Sequence, residues 1–304
     1  MIEFRPMTVE DIPSVDPLLM ASFGNANSYE PRLRRVLFLE SEGWIVAEDE
    51  GRAIGCGGIV AMGGTAYVGL VAVDAAQRRR GIAKLVMERL LELARERGCS
   101  TLLLDASESG RPLYEKLGFV ADDRVGVWQR PPAAPRAAPP TADDAPAHDD
   151  GIVLEPCSAA DSALALRGDI RPELAAFDRA TWGDDRRKVI ASFVADDPEL
   201  AMIARDGASG RIRGYAIVQA ANGTIGPWVA RDEIAASALL TWALGRFETD
   251  ARTVYLPEAN ESGARLITGA GFALSRSNTH MRLGPALPAA RRKYVYSQAS
   301  FALG

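Results

Sequence analysis

The amino-acid sequence predicts two α/β units, each with helices packed on a mixed sheet, joined by a proline- and alanine-rich linker. The chain has 304 residues, which is longer than a single hydrophobic core usually grows. Residues 131–150 include six prolines and no aromatic or β-branched apolar residue, a composition typical of an extended linker. The two flanking halves also resemble each other. We therefore predict domains at 1–130 and 151–304, separated by the linker at 131–150.

Composition and charge restrict the class of partner. Hydrophobic residues make up 47% of the chain and charged residues 25%, as in ordinary globular proteins. The formal net charge is −5, which argues against nucleic acid or an anionic membrane as the main partner. The sequence has no stretch of about 18 apolar residues and no basic N-terminal segment followed by an apolar run. We therefore expect a cytoplasmic protein that acts on a small soluble substrate.

Cysteine and histidine are scarce. Cys56, Cys99 and Cys157 are far apart in the sequence and form no CxxC pair, so neither a zinc site nor a disulfide framework is predicted, and no metal is expected. We expect buried thiols in a reducing compartment. The histidines are His148 and His280, and a Ser-His-Asp or Cys-His catalytic unit therefore has almost nothing to be built from. This scarcity argues against a hydrolase.

An internal repeat is direct evidence for two copies of one fold. Residues 3–11 and 153–161 each contain a short apolar stretch, then Thr or Ser with an acid three residues later, which is a helix-start pattern. Near the end of each half, residues 107–119 and 260–272 align without a gap. The sequence therefore predicts a duplicated α/β unit.

The first half alternates strands and helices in a regular order. Strands are predicted at 2–6, 43–50, 53–62, 65–73, 101–105 and 125–129, and helices between 8 and 39, from 81 to 97 and at 111–117. Gly98 follows the long helix, at a position that glycine favours. Strand, glycine-containing loop, helix and strand form a βαβ crossover, a usual binding place for a phosphorylated ligand.

The segment from Val71 to Ala83 is the most informative. Gly81 stands at the predicted start of the long helix, where the backbone turns and free N–H groups attract an anion. Arg78, Arg79 and Arg80 precede it and add positive charge. Taken alone, an arginine run before a helix is equally typical of a solvated turn. The neighbouring motifs decide between the two interpretations.

Two short motifs stand in the first half. One has the pattern Arg-x-x-Gly-x-Ala and comprises Arg78, Gly81 and Ala83. The other has the pattern Tyr-x-Lys-x-Gly-Phe, follows the next strand, and comprises Tyr114, Lys116, Gly118 and Phe119. Both resemble hallmark motifs of the GCN5-related N-acetyltransferase (GNAT) family, and the resemblance covers roughly residues 2–130.

The resemblance implies two tandem GNAT-like acyl-CoA N-acyltransferase folds and the use of acetyl-CoA. In the first fold, a V-shaped opening between the strands at 65–73 and 101–105 would hold the pantetheine arm, and the following loop would hold the pyrophosphate. The implied binding residues are Val71, Val73, Arg78, Arg79, Arg80, Gly81, Ile82 and Ala83. A backbone N–H at Val71 or Val73 would stabilise the oxyanion, and Tyr114 would protonate the departing thiolate. Ser107 stands where the family often has an asparagine that contacts the pantetheine.

Several carboxylates are candidates for the general base that a protonated amine requires. The predicted strand at 65–73 contains no Glu or Asp. Glu30, Glu40 and Glu42 lie in the N-terminal helical region, and Asp105 stands at a strand end. Surface exposure explains the glutamates equally well, and capping a strand end explains Asp105. The sequence leaves this choice open.

The second half departs from both motifs. The loop at 230–233 contains two acids and no glycine, and Ile267 takes the place of Tyr114. Acids at this position would repel a pyrophosphate. We therefore predict one active site per chain and a degenerate second copy, which shapes the substrate site or packs against the first copy.

The main functional hypothesis is acetyl transfer from acetyl-CoA to the primary amine of a small molecule. One alternative is a protein or peptide N-acetyltransferase, and another is a CoA-binding sensor or interaction protein without catalysis. The intact Tyr114 favours an enzyme. The acceptor amine, the acyl-chain range and the oligomeric state are not specified by the sequence, and a homodimer is kept open.

Overall fold

The computed structural model describes residues 2–24, 26–132, 151–246, 252–287 and 292–304. Most of the predicted linker at 131–150, with His148, lies outside these ranges. Cys56, Cys99 and Cys157 are buried, as predicted. Among the helices in these ranges, none is both long and apolar enough to cross a membrane.

The elements of the first half follow the predicted order. They are β1 (Glu3–Pro6), α1 (Ile12–Phe23), α2 (Glu30–Leu39), β2 (Trp44–Asp49), β3 (Arg52–Met62), β4 (Thr65–Val73), α3 (Ile82–Glu96), β5 (Thr101–Ala106), α4 (Arg111–Lys116) and β6 (Val120–Arg130). The largest difference is in β6, which begins at Val120 instead of near Val125. The predicted α/β class with a mixed sheet is confirmed, because β4 and β5 are parallel and the other pairs of this half are antiparallel.

The first sheet has the order β1-β2-β3-β4-β5, with helices on both faces. Val86 and Leu90 of α3 are buried in one apolar cluster with Ile59 of β3 and Val68 of β4. α1 also contacts β3 and β4, but its buried residues lie outside that cluster, so α1 covers the opposite face. Side chains alternate between the two faces along each strand. The face under α3 is called the α3 face below, and the other is called the α1 face.

Among the described residues, the second half repeats the order of the first, with one additional helix and one additional strand. Its elements are β7 (Ile152–Pro156), α5 (Ala159–Ala165), α6 (Pro172–Trp182), α7 (Arg187–Val194), β8 (Ala201–Asp206), β9 (Ile212–Gln219), β10 (Thr224–Ala230), α8 (Glu233–Gly245), β11 (Arg252–Pro257), α9 (Glu261–Gly269), β12 (Ala273–Leu283) and β13 (Val295–Ser297). This repetition confirms two copies of one fold. By order, β10, α8, β11 and α9 correspond to β4, α3, β5 and α4.

Two compact units are present, and they do not follow chain order completely. The first unit comprises Met1–Ala121, Met281–Ala286 and Phe301–Leu303, and the second comprises Asp122–His280, Leu287–Ser300 and Gly304. Most of β6 therefore belongs to the second unit, where it pairs with β11. The division of the chain at 130 and 150 stays a prediction.

The second unit has the strand order β6-β11-β10-β9-β8-β7, and β13 pairs with β10 on the edge that faces β11. Ala235 and Leu239 of α8 are fully buried against Ile225 and Trp228 of β10 in a single apolar cluster. Thus a helix covers β10 as α3 covers β4. The two copies share the same packing although their loops differ.

Candidate active site

The strands β4 and β5 separate from each other partway along their length. They pair at Thr65–Thr101, Ala66–Leu102 and Tyr67–Leu103, and the register ends there although β4 continues to Val73. The rest of β4 therefore leaves its β5-facing edge unpaired. An edge with free N–H and C=O groups can pair with an extended ligand. This is the V-shaped opening that the family resemblance implied, and a pantetheine arm fits its chemistry.

A β-bulge lies on β4 inside this opening. Cys56 pairs with Ala72 and Gly58 pairs with Gly69, so two residues of β4, Leu70 and Val71, stand opposite one residue of β3. Leu70 has a φ of 53°, which is unusual for a branched side chain. Bulges redirect the backbone and occur next to active sites. The bulge therefore changes the direction of the backbone groups around Val71, a residue predicted to contact the thioester.

The N-terminus of α3 is open. The residue before the helix is Gly81, which has a φ of 80°. No side chain caps the helix start with a hydrogen bond. A Cβ atom added at Gly81 would meet nothing within 4 Å. The first intrahelical bond is donated by the N–H of Leu85 to the carbonyl of Gly81, at 3.1 Å. The amides of the first turn, including those of Ile82 and Ala83, therefore have no intrahelical acceptor and could bind an anion.

The three predicted arginines differ in their partners. Arg80 lies 3.4 Å from Asp49 in an ion pair and hydrogen-bonds Gln77. Within the described part of the chain, Arg78 and Arg79 have no ion-pair partner, and both are exposed. Arg79 has a φ of 65°. Two guanidinium groups thus remain available for a phosphate at the helix start.

Tyr114 lies on α4 and packs on the apolar cluster beneath α3. Its ring makes an edge contact with Phe119, with centroids 6.0 Å apart. Burial raises the pKa of Tyr114 to about 12, so its hydroxyl stays protonated at neutral pH. This hydroxyl has no hydrogen-bond partner among the residues that the structure describes. A tyrosine in this state can donate a proton or a hydrogen bond to a sulfur atom.

Ser107 is engaged locally at the start of α4. Its Oγ accepts a hydrogen bond from the N–H of Gly110 at 3.2 Å and lies 3.2 Å from Oγ of Ser109. Its carbonyl accepts from the N–H of Arg111 at 2.9 Å. Ser107 therefore organises the turn between β5 and α4. Its contact with the pantetheine stays a prediction.

Asp105 is held by a tyrosine that sequence reasoning missed. The hydroxyl of Tyr67 donates to Oδ2 of Asp105 at 2.5 Å. Tyr67 and Leu103 form the last pair of β4 with β5, so the Tyr67–Asp105 pair lies at the point where the opening begins. Val68 and Leu104 belong to the α3 cluster, and by alternation Tyr67 and Asp105 lie on the α1 face. Tyr114 packs on the α3 face, so the carboxylate and the phenol lie on opposite faces of the sheet.

The three candidate glutamates have other surroundings. Glu40 is half-buried, accepts from Arg97 at 3.0 Å and also accepts from the backbone N–H of Ala61. Glu30 forms an exposed ion pair with Arg34 on the same helix. Glu42 is exposed. Glu40 and Glu30 thus make structural contacts, and of the four candidates Asp105 is the one beside the opening.

The second unit caps the helix that corresponds to α3. Asp232 precedes α8, and its carboxylate accepts a hydrogen bond from the N–H of Ala235 at 3.0 Å. The same carboxylate pairs with Arg213 at 2.7 Å. A negatively charged cap thus takes the place of an anion at this helix start. Ile267, which corresponds to Tyr114, is fully buried and has no proton to donate.

The second unit also fills its own strand opening. β10 and β11 pair in parallel at Thr224 and Thr253. Farther along, β10 pairs instead with β13, at Trp228–Ser297 and Val229–Val295. β13 is tied to β11 as well, because Oγ of Ser297 accepts from the N–H of Tyr255 at 3.0 Å. A strand of the chain itself therefore occupies the place between β10 and β11 that corresponds to the pantetheine opening.

These features define a tandem architecture of acyl-CoA N-acyltransferase folds, one with an open site and one with a closed site. Residues 12–119 match the acetyltransferase (GNAT) family model, and residues 174–297 match an acetyltransferase (GNAT) domain model. The chain belongs to the GCN5-related N-acetyltransferase family, with two GNAT domains in tandem.

Comparison with individual proteins agrees with this assignment. The glucosamine 6-phosphate N-acetyltransferase of Trypanosoma brucei brucei is 44% identical over 54 residues, which is 18% of this chain and 37% of that protein. A Pyrococcus horikoshii crystal structure described as an acetyltransferase has a TM-score of 0.80 at 24% identity, covering 100% of this chain and 96% of its own. A tandem GNAT protein from the clavulanic acid biosynthesis pathway has a TM-score of 0.60 at 20% identity, covering 94% of this chain and all of its own. The two structures show the fold alone.

Proposed function

We propose that the protein is an acetyl-CoA-dependent N-acetyltransferase that acetylates a primary amine of a small molecule in its first unit. The observation that carries this proposal is the open strand edge of β4, which leads from the Tyr67–Asp105 pair to the uncapped N-terminus of α3. The residues fit the co-substrate: the unpaired edge at Val71 and Val73 suits the pantetheine amides, and the loop from Arg78 to Ala83 suits the pyrophosphate. When bound, acetyl-CoA supplies the activated acetyl group.

The residues of the opening divide the chemistry between its two faces. On the α1 face, Asp105 accepts the proton of the amine, directly or through water, because an ammonium group has no lone pair for attack. At the bulge, a backbone N–H of Val71 or Val73 donates to the carbonyl oxygen as negative charge develops there. On the α3 face, Tyr114 donates its proton toward the sulfur as the carbon–sulfur bond breaks, and the second proton of the amine nitrogen leaves to solvent. The amine therefore approaches from the α1 face of the sheet, and the thiolate leaves on the α3 face.

An amino sugar is the first acceptor class to examine. The trypanosomal relative is named as a glucosamine 6-phosphate N-acetyltransferase, and its match to this chain covers 54 residues, which is 37% of its own length. The acceptor of this protein is therefore proposed only as a small primary amine, with aminohexoses and their phosphates as the first members of a test panel. A basic peptide is the second candidate, since Asp105 would also attract a lysine side chain.

Isothermal titration with acetyl-CoA is expected to show one binding site per chain. The first unit has an open strand edge and helix start, whereas the second has Asp232 at the helix start and β13 in the opening. Thiol release measured with a panel of amines then tests transfer. A stoichiometry of two would contradict the closed second site, and absence of both binding and thiol release would overturn the proposed function.

Asp105→Asn is expected to lower kcat/KM for the amine by about 10²-fold at neutral pH, because the variant removes the proton acceptor. The loss should shrink as the pH approaches the pKa of the amine, where free amine is already abundant in solution. Tyr67→Phe, which keeps the carboxylate and removes its hydrogen-bond donor, serves as the milder comparison. An Asp105→Asn loss that is the same at every pH would assign Asp105 a structural role instead.

A further inference from the structure

We propose that Asp49 competes with the pyrophosphate of acetyl-CoA for the guanidinium of Arg80 and thereby lowers the affinity of the first unit for its co-substrate. The inference rests on the proposed function, since it concerns the loop that is proposed to hold the pyrophosphate. It adds a residue that determines affinity, and this residue lies outside the Arg-x-x-Gly-x-Ala motif.

Strand pairing brings the end of β2 close to the loop before α3. Asp49, the last residue of β2, pairs with Arg52 at the beginning of β3. The N–H of Asp74, which follows β4, donates to the carbonyl of Ile54 near the same end of β3, at 2.9 Å. The turn between β2 and β3 and the loop after β4 therefore lie at one end of the sheet. Arg80 stands in that loop and reaches Asp49.

The contact between Arg80 and Asp49 is loose and open to solvent. Both Nη1 and Nη2 of Arg80 lie 3.4 Å from Oδ2 of Asp49, whereas charge-assisted hydrogen bonds are usually about 2.7–2.9 Å long. The side chain of Arg80 is 46% exposed and that of Asp49 is 24% exposed. Exposed ion pairs of this kind are weak. The pyrophosphate, which carries two negative charges, can therefore displace Asp49 from the guanidinium.

A neighbouring ion pair at the same end of the sheet is built differently. Arg52 donates to Oδ2 of Asp74 at 2.5 Å, and Oδ1 of Asp74 accepts from a backbone N–H of the following turn at 2.9 Å. Asp74 thus stabilises the turn and holds Arg52 tightly. Arg78 and Arg79 have no ion-pair partner within the described residues. Of these four arginines, Arg80 is therefore the one whose carboxylate partner can be exchanged for a phosphate.

A second contact keeps Arg80 at the loop when the carboxylate is displaced. Nη1 of Arg80 donates to Oε1 of Gln77, a neutral group three residues earlier in the chain. Because arginine has five N–H donors, the guanidinium can stay bound to Gln77 while it donates to a phosphate. Loss of the charge at Asp49 therefore makes Arg80 available to the pyrophosphate and also removes a repulsion between two anions.

Isothermal titration of Asp49→Asn with CoA and with acetyl-CoA tests the proposal. The asparagine has the size of the aspartate but no charge, so we expect both affinities to rise about 5-fold. The rise should be equal for the two molecules, because they carry the same pyrophosphate. In an Arg80→Gln background, the same substitution should change the affinity by less than about 2-fold, since the contested guanidinium is gone.

Glu50→Gln is the matched control, because Glu50 is the next residue, is exposed and has no ion-pair partner among the described residues. It removes the same charge without releasing an arginine, so its affinity should stay within about 2-fold of that of the unmodified protein. An affinity that is unchanged or lower in Asp49→Asn would overturn this inference and leave the proposed function intact. An equal rise in Glu50→Gln or in the Arg80→Gln background would do the same. No binding of CoA or acetyl-CoA by the unmodified protein would overturn the proposed function and this inference with it.

Discussion

Gly81→Asp is expected to weaken the binding of acetyl-CoA by about 10³-fold, because the new carboxylate would stand at the anion site of α3. A carboxylate about 5 Å from one phosphate charge costs about 3 kcal/mol at an effective dielectric constant of about 20, and the second phosphate adds to this. The side chain has room, since nothing lies within 4 Å of a Cβ atom at this position. Isothermal titration measures the loss.

Gly51→Asp provides the matched control for backbone strain. Gly51 has a φ of 76° and also has nothing within 4 Å of an added Cβ atom, so the two substitutions impose the same left-handed conformation on an aspartate. Gly51 lies in the turn between β2 and β3, away from the helix start. Thermal stability should fall similarly in both variants, and only Gly81→Asp should lose affinity. Equal affinities in the two variants would show that the pyrophosphate does not bind at α3.

The elements of the first unit were predictable because their signals are local. The apolar spacing of α3, the buried run of β5 and the glycine at Gly98 each lie within about 20 residues and depend little on the rest of the fold. The same holds for the loop from Arg78 to Ala83, whose proposed role depends on one helix start. Short-range patterns therefore predicted the order of the elements in the βαβ crossover and the open helix start at Gly81.

The remaining features depend on contacts between distant residues. Tyr67 and Asp105 are brought together by parallel pairing of two strands, and no local pattern marks Tyr67 as a partner. The contact of Gly69 with Ala302 and the insertion of β13 beside β10 join still more distant segments. Alternation along β4 and β5 would have placed Tyr67 and Asp105 on one face once the register was known. The register itself is a tertiary property.

Tyr114→Phe is expected to lower kcat by about 10³-fold with little change in the affinity for acetyl-CoA, because the variant removes a general acid but keeps the ring. The ring contact with Phe119 and the packing on the α3 cluster do not involve the hydroxyl, so thermal stability should be retained. Steady-state thiol release gives kcat, and titration gives the affinity.

The pH dependence of kcat in the unmodified enzyme and in Tyr114→Phe separates a role of Tyr114 in acid catalysis from a role in packing. Burial raises the pKa of Tyr114 to about 12, so the tyrosine is protonated below that pH and the donor is lost only above it. The unmodified enzyme should therefore show no decline in kcat from this group between about pH 6 and pH 10, and the ratio of the two kcat values should be constant over that range. Tyr296→Phe, which removes a hydroxyl whose pKa burial also raises but which lies in the second unit, should keep full activity. If Tyr114→Phe is as active as the Tyr296→Phe control, the thiolate leaves without a proton from Tyr114. The second copy cannot replace this donor at the corresponding position, because that position is Ile267.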